Sequence, residues 1–294
     1  MASWNEILKE ANSLANPIAF LESKRLKYLK ALSAKTGRNV ITYYSAWLTK
    51  PTIANIDIVD ADQNAFMQAV YKMDKKKGLD LILHTPGGNI AAAESIVDYL
   101  HSIFGDDIRA IVPQMAMSAG TMIALSCKQI IMGKHSSLGP VDPQFNGLSC
   151  QEAIDEFNQA ITEVAANPAA QGLWQVRISH YPPTFLVSCN NALEWSRSYT
   201  KKWLARNYRL DDVAAEEMAK PFVNHSESKS HSRHFPSSQC KEIGLNILDL
   251  EEDPSLQDLI LSLHHCYMIN FDKSNAFKAI ENQLGARYLR IQNG

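Results

Sequence analysis

Cysteine is scarce in this sequence, and neither sign of charge dominates. The chain of 294 residues has five cysteines, an odd number, and none of them forms a C-x-x-C pair. This pattern argues against a disulfide framework and against a zinc ribbon, and it favours a reducing compartment. The formal net charge of −2 gives no electrostatic footprint for nucleic acid or for an acidic membrane surface. We therefore expect no nucleic-acid partner.

The sequence also has no uninterrupted apolar run of membrane-spanning length. Its most apolar long window, Ile111–Cys127, is broken by Pro113, Gln114, Ser118 and Gly120. A buried strand followed by a helix fits this window better than a membrane span does. The first residues, MASWNEILKEANS, are polar and do not resemble a secretory leader. We expect no membrane span and a cytoplasmic location.

Sequence motifs for phosphate and metal binding are absent as well. The loop TPGGN lacks the Gly-Lys-Ser/Thr ending of a phosphate loop, and so does the segment Gly133-Lys134-His135. Residues with metal-ligating atoms occur late in the chain, at His225, His231, His234 and Cys240. Their spacing matches no standard zinc pattern. We expect neither a cofactor nor a metal.

What the sequence does have is an alternation of strand-like and helix-like segments. The short apolar runs have strand length, at Leu79–Leu83, Ile108–Val112 and Gln129–Met132. The segments between them have helical character, at Ile90–Phe104 and Ala119–Cys127. This order predicts an α/β fold in which helical crossovers join parallel strands. Ligands gather at the carboxyl ends of such strands.

Two loops leave the predicted sheet at that edge. The first, His84–Asn89, contains Gly87 and Gly88 directly before a helix, so its backbone N–H groups can face an anion. The second presents Ser118 between small neighbours at the start of the next helix. A serine in this place is either a helix cap or a nucleophile. The pairing of this hydroxyl with a diglycine turn favours a nucleophile that faces an oxyanion hole.

The same loops carry a family resemblance. HTPGG is followed further along the chain by MSAGT and then by SSLGPVDPQ. This succession resembles the Clp-protease/crotonase superfamily, and most closely the serine dehydrogenase proteinases, which are signal-peptide-peptidase-like serine peptidases. The segments TGRNVITYYSAWL, HSRH and LHHCYM extend the resemblance over most of the chain. It implies a ClpP/crotonase-like fold of repeated βαβ units with extra N- and C-terminal helices.

The resemblance also implies an activity. The chain would be a serine endopeptidase that hydrolyses proteins or peptides through an acyl-enzyme on Ser118. The backbone amides of Gly87 and Gly88, in the His84–Gly88 loop, and of Ala119 would hold the oxyanion. Relatives assemble into oligomers, so we expect a homo-oligomer. The sequence has no Walker motif, so any ATP dependence would come from a separate ATPase partner.

The sequence leaves several candidates for the general base, namely Asp142, Lys201, Lys202, His231 and His234. Signal-peptide-peptidase-like enzymes use a serine–lysine dyad, but residues 135–200 contain no lysine, so Lys201 or Lys202 would have to fold back. Clp proteases use serine, histidine and aspartate, and Asp142 lies where their histidine is expected. A carboxylate there acts as the base or orients one. The two histidines lie on a polar loop and are further alternatives.

Two other functions stay open at this stage. A crotonase-type acyl-CoA enzyme would use the same paired amides, but it has no need of the Ser118 hydroxyl. A catalytically degenerate protein that binds or assembles without cleaving would fit the missing dyad lysine. The aromatic stripe of Trp195, Tyr199 and Trp203 would serve either the core or such subunit contacts.

The chain shows no linker long enough to separate independent domains. We divide it into an N-terminal helical extension at 1–36, a peptidase domain at 37–250 and a C-terminal helical extension at 251–294 packed on the same core. In the last part, Asp253 and Pro254 predict a helix start, and Gly285 predicts the end of a second helix.

Overall fold

The computed structural model of the chain describes residues 4–145, 147–224 and 230–292. The chain divides into two compact units, of which the first combines Met1–Gly139 with His234–Gly294 and the second is Pro140–Arg233. The division at residues 36 and 250, which separates two helical extensions from a peptidase domain, stays a prediction.

The first unit contains most of the strands. They are β1 (Asn39–Ser45), β2 (Leu79–His84), β3 (Ile108–Val112), β4 (Met115–Ala116), β5 (Gln129–Met132), β6 (Ser137–Leu138), β9 (Phe235–Pro236), β10 (Ile247–Asp249), β11 (Ala276–Asn282) and β12 (Arg287–Ile291). Its helices are α1 (Trp4–Asn12), α2 (Pro17–Thr36), α3 (Asp62–Val70), α4 (Ile90–Phe104), α5 (Ala119–Leu125), α10 (Ser237–Glu242) and α11 (Pro254–Lys273). The strands β7 (Gln144–Phe145) and β8 (Leu148–Ser149) belong to the second unit.

A seven-stranded sheet forms the centre of the first unit, in the order β10-β5-β3-β2-β1-β11-β12. The strands from β10 to β1 pair in parallel, whereas β11 runs antiparallel to both of its neighbours. Every residue of β1 and β2 is buried, as expected for strands covered on both faces. The predicted βαβ alternation is therefore confirmed, and so is the α/β fold class. A smaller sheet, β4-β6-β9, lies beside it in the same unit.

Helices cover the two faces of the main sheet. On one face, α2 and α11 pack against it through Leu29, Leu263 and Tyr267, which join Val40 and Ile82 in one buried cluster. The long helices begin where the sequence supplies a cap, because Asp253 Oδ1 accepts from Leu256 N–H at 3.0 Å at the start of α11. Both terminal helices thus contribute to the core of the first unit.

The last segment of the chain differs from our expectation. The predicted helix ending at Gly285 is wrong, because residues 276–282 and 287–291 form the hairpin β11–β12. The segment AFKAIEN contains alanine, lysine and glutamate, which favour helices, and its two charged residues hide the apolar pattern of a buried strand. Pairing with β1 and burial of the whole of β11 override that local preference.

The second unit is mainly helical. Its helices are α6 (Cys150–Ala166), α7 (Gln171–Ile178), α8 (Phe185–Tyr208) and α9 (Asp212–Val223). Tyr199 and Trp203 of the predicted aromatic stripe are buried, whereas Trp195 is 41% exposed. Two members of the stripe therefore belong to the core.

Candidate active site

Ser118 occupies a sharp turn between β4 and α5. Its backbone has φ 51° and ψ −121°, a conformation that side-chain-bearing residues rarely adopt. Ser118 holds the N-cap position of α5, yet its hydroxyl makes no capping hydrogen bond. A strained turn that joins a strand to a helix and presents a serine hydroxyl is the arrangement of a nucleophile elbow. The helix-cap interpretation of Ser118 has no support in this geometry.

Thr85 and the backbone on either side of Ser118 hold the turn in place. Thr85 N–H donates to Met115 O at 3.2 Å, and Met117 N–H donates to Thr85 O at 3.0 Å. Gly120 lies directly against the side chain of Thr85, since a Cβ at Gly120 would lie 2.4 Å from Thr85 Cγ2. This contact explains why the MSAGT motif has a glycine at this position.

The diglycine loop lies directly against the Ser118 turn. Gly87 has φ 101° and Gly88 has φ 147°, both in the region that favours glycine. A Cβ on Gly87 would lie 2.6 Å from Ser118 Cβ and 2.7 Å from Met117 O. Asn89 then caps α4, since its Oδ1 accepts from Ala91 N–H at 2.8 Å. The sequence HTPGGN is thus fixed by close approach and by a helix start.

Three backbone amides in these loops were predicted to hold an oxyanion, and they differ in the structure. Gly87 N–H donates to Thr85 Oγ1 at 3.2 Å, so it already has an acceptor. The N–H groups of Gly88 and Ala119 have no acceptor among the described residues. Free donors in the loop and at the start of α5 are suited to stabilise negative charge.

The glycine of SSLGP lies against the same turn. Gly139 N–H donates to Thr121 Oγ1 at 2.9 Å, and Thr121 Oγ1 donates to Ala116 O at 2.7 Å. A Cβ on Gly139 would lie 2.5 Å from Met117 Cε. All three motifs of the family resemblance therefore contribute to the surroundings of Ser118 within the first unit.

His234, one of the candidate bases, belongs to the first unit and directly precedes β9. In the smaller sheet Ala116 is paired with Leu138, and Leu138 with Phe235. Since β9 is antiparallel to β6, His234 lies at the same end of this sheet as the residues that lead from β4 into Ser118. Its Nδ1 is 2.8 Å from Ser137 Oγ.

Asp142 and His231 come together in the second unit. Asp142 Oδ1 lies 2.8 Å from His231 Nδ1, and their side chains are 1% and 28% exposed. A buried carboxylate on one ring nitrogen fixes the orientation of the imidazole. The sequence named both residues but carried no signal that they pair, because 89 positions separate them.

The two lysine candidates form other contacts in the second unit. Lys201 Nζ lies 2.6 Å from Asp212 Oδ1 and 3.6 Å from Glu216 Oε2. The hydrogen bond and charge of Asp212 raise the pKa of Lys201, which is the opposite of what a general base needs. Lys202 Nζ lies 5.6 Å from the centre of the Trp203 ring.

A buried histidine ends the strand that leads to the diglycine loop. His84 is fully buried, and neither of its ring nitrogens has a hydrogen-bond partner in the part of the chain that the structure describes. It packs against Trp47 at 4.3 Å and His264 at 5.0 Å between ring centres. Burial, and then the neighbouring His264, hold the pKa of His84 well below its usual value. Burial also lowers the pKa of His264, to about 3, with His265 and His135 adding to the effect.

Sequence reasoning missed two charged residues that lie behind the diglycine loop. Lys278 and Asp62 are both fully buried, and Lys278 Nζ is 2.8 Å from Asp62 Oδ2. Neither charge sits in a recognisable motif, so no sequence signal could have found them.

Metal clusters and membrane-spanning helices do not occur in the described ranges. In 4–145, 147–224 and 230–292, no group of three or more His, Cys, Asp or Glu side chains is placed to hold a metal ion. His225, named above as a possible ligand, lies outside the described residues. No helix within the same ranges combines the length and apolar character needed to cross a bilayer.

A parallel sheet that presents a serine elbow beside a diglycine loop defines a ClpP-like α/β protein. The chain belongs to the family described as ClpP-like SDH-type serine proteinases, whose model matches residues 16–167. The resemblance to serine dehydrogenase proteinases is therefore confirmed.

Two proteins of Methanocaldococcus jannaschii are similar to this chain. The uncharacterized protein MJ0137 is 40% identical over 144 residues, which cover 47% of this chain and 49% of that protein. The uncharacterized protein MJ1495 is 27% identical over 229 residues, or 76% of this chain and 71% of that protein. The chain thus matches about half the length of the first relative.

Proposed function

We propose that this protein is a serine endopeptidase that cleaves proteins or peptides through an acyl-enzyme on Ser118. The observation that carries the proposal is the backbone of Ser118, which is strained into an elbow while its hydroxyl caps nothing. Strain of this kind persists where the surrounding structure imposes it, and it is concentrated at functional sites. Family membership supports the same reaction class.

Gly88 and Ala119 are the proposed oxyanion donors. When Ser118 Oγ attacks a peptide carbonyl, negative charge develops on the carbonyl oxygen, and two fixed N–H groups stabilise it without reorganisation. Gly87 has a different part, because its amide already donates to Thr85. Its contribution is the absence of a side chain beside the nucleophile.

We assign the general base to His234, the candidate base that belongs to the same unit as Ser118. His234 Nδ1 is already in contact with Ser137 Oγ, so in this assignment the hydroxyl proton of Ser118 passes to His234 Nε2 as the serine attacks, and then to the leaving amine when the peptide bond breaks. A water molecule then attacks the acyl-enzyme ester. The general base takes a proton from this water and returns it to Ser118 Oγ as the ester bond breaks. The assignment is supported by the position of His234 at the end of the β4-β6-β9 sheet from which the chain leads into Ser118. Lys201 is the weaker alternative because of its raised pKa.

The test is intact-mass labelling of the purified protein with a fluorophosphonate, combined with turnover of a fluorescent protein substrate. We expect one adduct on the wild type and none on Ser118→Ala. His234→Gln should label at least about 100-fold more slowly. His231→Gln, Asp142→Asn and Lys201→Met are controls that should label at rates close to the wild type.

Each contrary result has a defined meaning. A folded wild type that forms no adduct and cleaves no substrate would overturn the proposal in favour of a non-cleaving or crotonase-type protein. If His231→Gln loses labelling while His234→Gln keeps it, the serine mechanism stands and the base assignment fails.

A further inference from the structure

The proposed oxyanion donor Gly88 is held in place by one neighbouring segment, Asp57–Val59. Ile58 N–H donates to Gly87 O at 2.7 Å, and Asn89 N–H donates to Ile58 O at 2.9 Å. These two bonds form an isolated parallel bridge between Ile58 and Gly88. In an extended chain successive N–H groups point to opposite sides, so the bridge directs the N–H of Gly88 away from Ile58.

No secondary structure fixes this segment, since Asp57–Val59 lies between β1 and α3 and belongs to neither. Two side chains hold it instead. Lys278 Nζ donates to Asp57 O at 2.6 Å, and Val59 N–H donates to Asp62 Oδ2 at 3.1 Å. The residues on both sides of Ile58 are therefore attached to the same pair of buried charges.

The pair itself is closed off from solvent. Lys278 Nζ lies 2.9 and 2.8 Å from the two carboxylate oxygens of Asp62, and Tyr43 Oη donates to Asp62 Oδ2 at 2.8 Å. A buried ion pair is a poor source of stability, because desolvation offsets the attraction and apolar residues often serve as well. The hydrogen bonds of this pair with Asp57 O and Val59 N–H indicate a role other than stability.

We propose that the Lys278–Asp62 pair is a positioning device that sets the direction of the Gly88 N–H through Asp57, Ile58 and Val59. The inference rests on the proposed function, in which that N–H stabilises the oxyanion. Lys278 and Asp62 touch neither substrate nor nucleophile in this assignment; they act only through the Ile58 segment.

The chain offers a matched control on the other face of β11. There Glu281 accepts from Arg25 Nε at 3.0 Å and from Tyr267 Oη at 2.7 Å, so a tyrosine and an ion pair are again buried together. Arg25 and Glu281 are both within the core, and within the described residues none of their hydrogen bonds or ion pairs reaches the diglycine loop.

The experiment compares two all-apolar triple variants. The site variant is Tyr43→Phe/Asp62→Leu/Lys278→Met, and the control variant is Arg25→Met/Tyr267→Phe/Glu281→Leu. Fluorophosphonate labelling rate, kcat and KM are measured with thermal unfolding of the same samples. We expect labelling and kcat of the site variant to fall about 10- to 100-fold with little change in KM, and the control to match the wild type.

A folded site variant that labels at the wild-type rate would overturn the positioning role, and so would an equal loss in both triple variants. If the site variant does not fold, Asp62→Asn replaces it, and the expected result is slower labelling with KM unchanged. A wild-type rate for Asp62→Asn overturns the inference. If the wild type itself does not label, the proposed function is refuted, and the positioning role, which rests on it, is refuted as well.

Discussion

Gly87 and Ser118 are so close that a Cβ on the glycine would lie 2.6 Å from the Cβ of the serine. Real Cβ atoms do not approach other atoms so closely, and φ 101° at Gly87 adds strain for any larger residue. The diglycine loop and the serine elbow therefore pack so tightly that neither can move without the other.

The first prediction concerns Gly87→Ala. The new methyl group pushes the loop away from Ser118, so we expect fluorophosphonate labelling to slow about 100-fold, the usual effect of misplacing reacting groups by about 1 Å. Gly37→Ala is the control, because Gly37 has φ 69° but a methyl group added there would have nothing within 4 Å. It should lose stability yet label normally. Equal labelling rates for the two variants would contradict the steric explanation.

The second prediction uses the contact between Gly120 and Thr85. Gly120→Ala places a methyl group 2.4 Å from Thr85 Cγ2, and overpacking of this kind costs about 1–3 kcal/mol. Thr85→Ser removes Cγ2 but keeps the hydroxyl that accepts from Gly87 N–H. We expect Gly120→Ala to lower stability and labelling and the double variant to recover both. Failure of the double variant to recover would place the damage elsewhere in α5.

The third prediction tests the strain at Ser118. With φ 51°, both serine and alanine are strained here, whereas glycine is not. Ser118→Gly should therefore be more stable than Ser118→Ala by about 1 kcal/mol in urea unfolding, although both lack the nucleophile. An alanine variant as stable as the glycine variant would show that the elbow stores no strain.

The fourth prediction concerns acid. Because the pKa values of His84 and His264 are lowered in the folded state, the unfolded chain binds more protons below pH 6.5. Their contribution to stability is complete above pH 6.5 and is lost as the pH falls toward the folded pKa, about 3 for His264. Each histidine adds a slope of up to about 1.4 kcal/mol per pH unit to the free energy of unfolding.

The variant that checks this is His264→Leu, followed by urea unfolding between pH 6.5 and 4. We expect a shallower dependence on pH than in the wild type. Leu263→Ala, in the same helix and also buried, should lower stability at every pH without changing the slope. An unchanged slope in His264→Leu would be evidence against a neutral His264 in the folded protein.

Much of the fold and of the nucleophile loop could be predicted from the sequence, because these parts depend on residues that are close together in the chain. Apolar runs of strand length predicted β2, β3 and β5, and the glycines of HTPGG stand where the backbone needs positive φ or close approach. The small residues around Ser118 were visible in the sequence, although their contacts with Thr85 and Gly87 were not.

The parts that escaped prediction depend on contacts between distant residues. Residues 276–282 favour a helix locally and become β11 only by pairing with β1. The Asp142–His231 contact joins positions 89 residues apart, and the partners Asp62 and Lys278 lie 216 apart. One sequence contains no signal for such pairs.

The position of Lys278 on β11 has a consequence for synthesis of the protein. The ribosome completes the Ser118 elbow and the diglycine loop well before it makes β11, which then pairs with β1. Until that strand emerges, Asp57 and Asp62 lack the cation that joins them. In the proposed mechanism a nascent chain would carry its nucleophile before the Gly88 N–H is positioned, so its cleavage of neighbouring proteins would be slowed during translation.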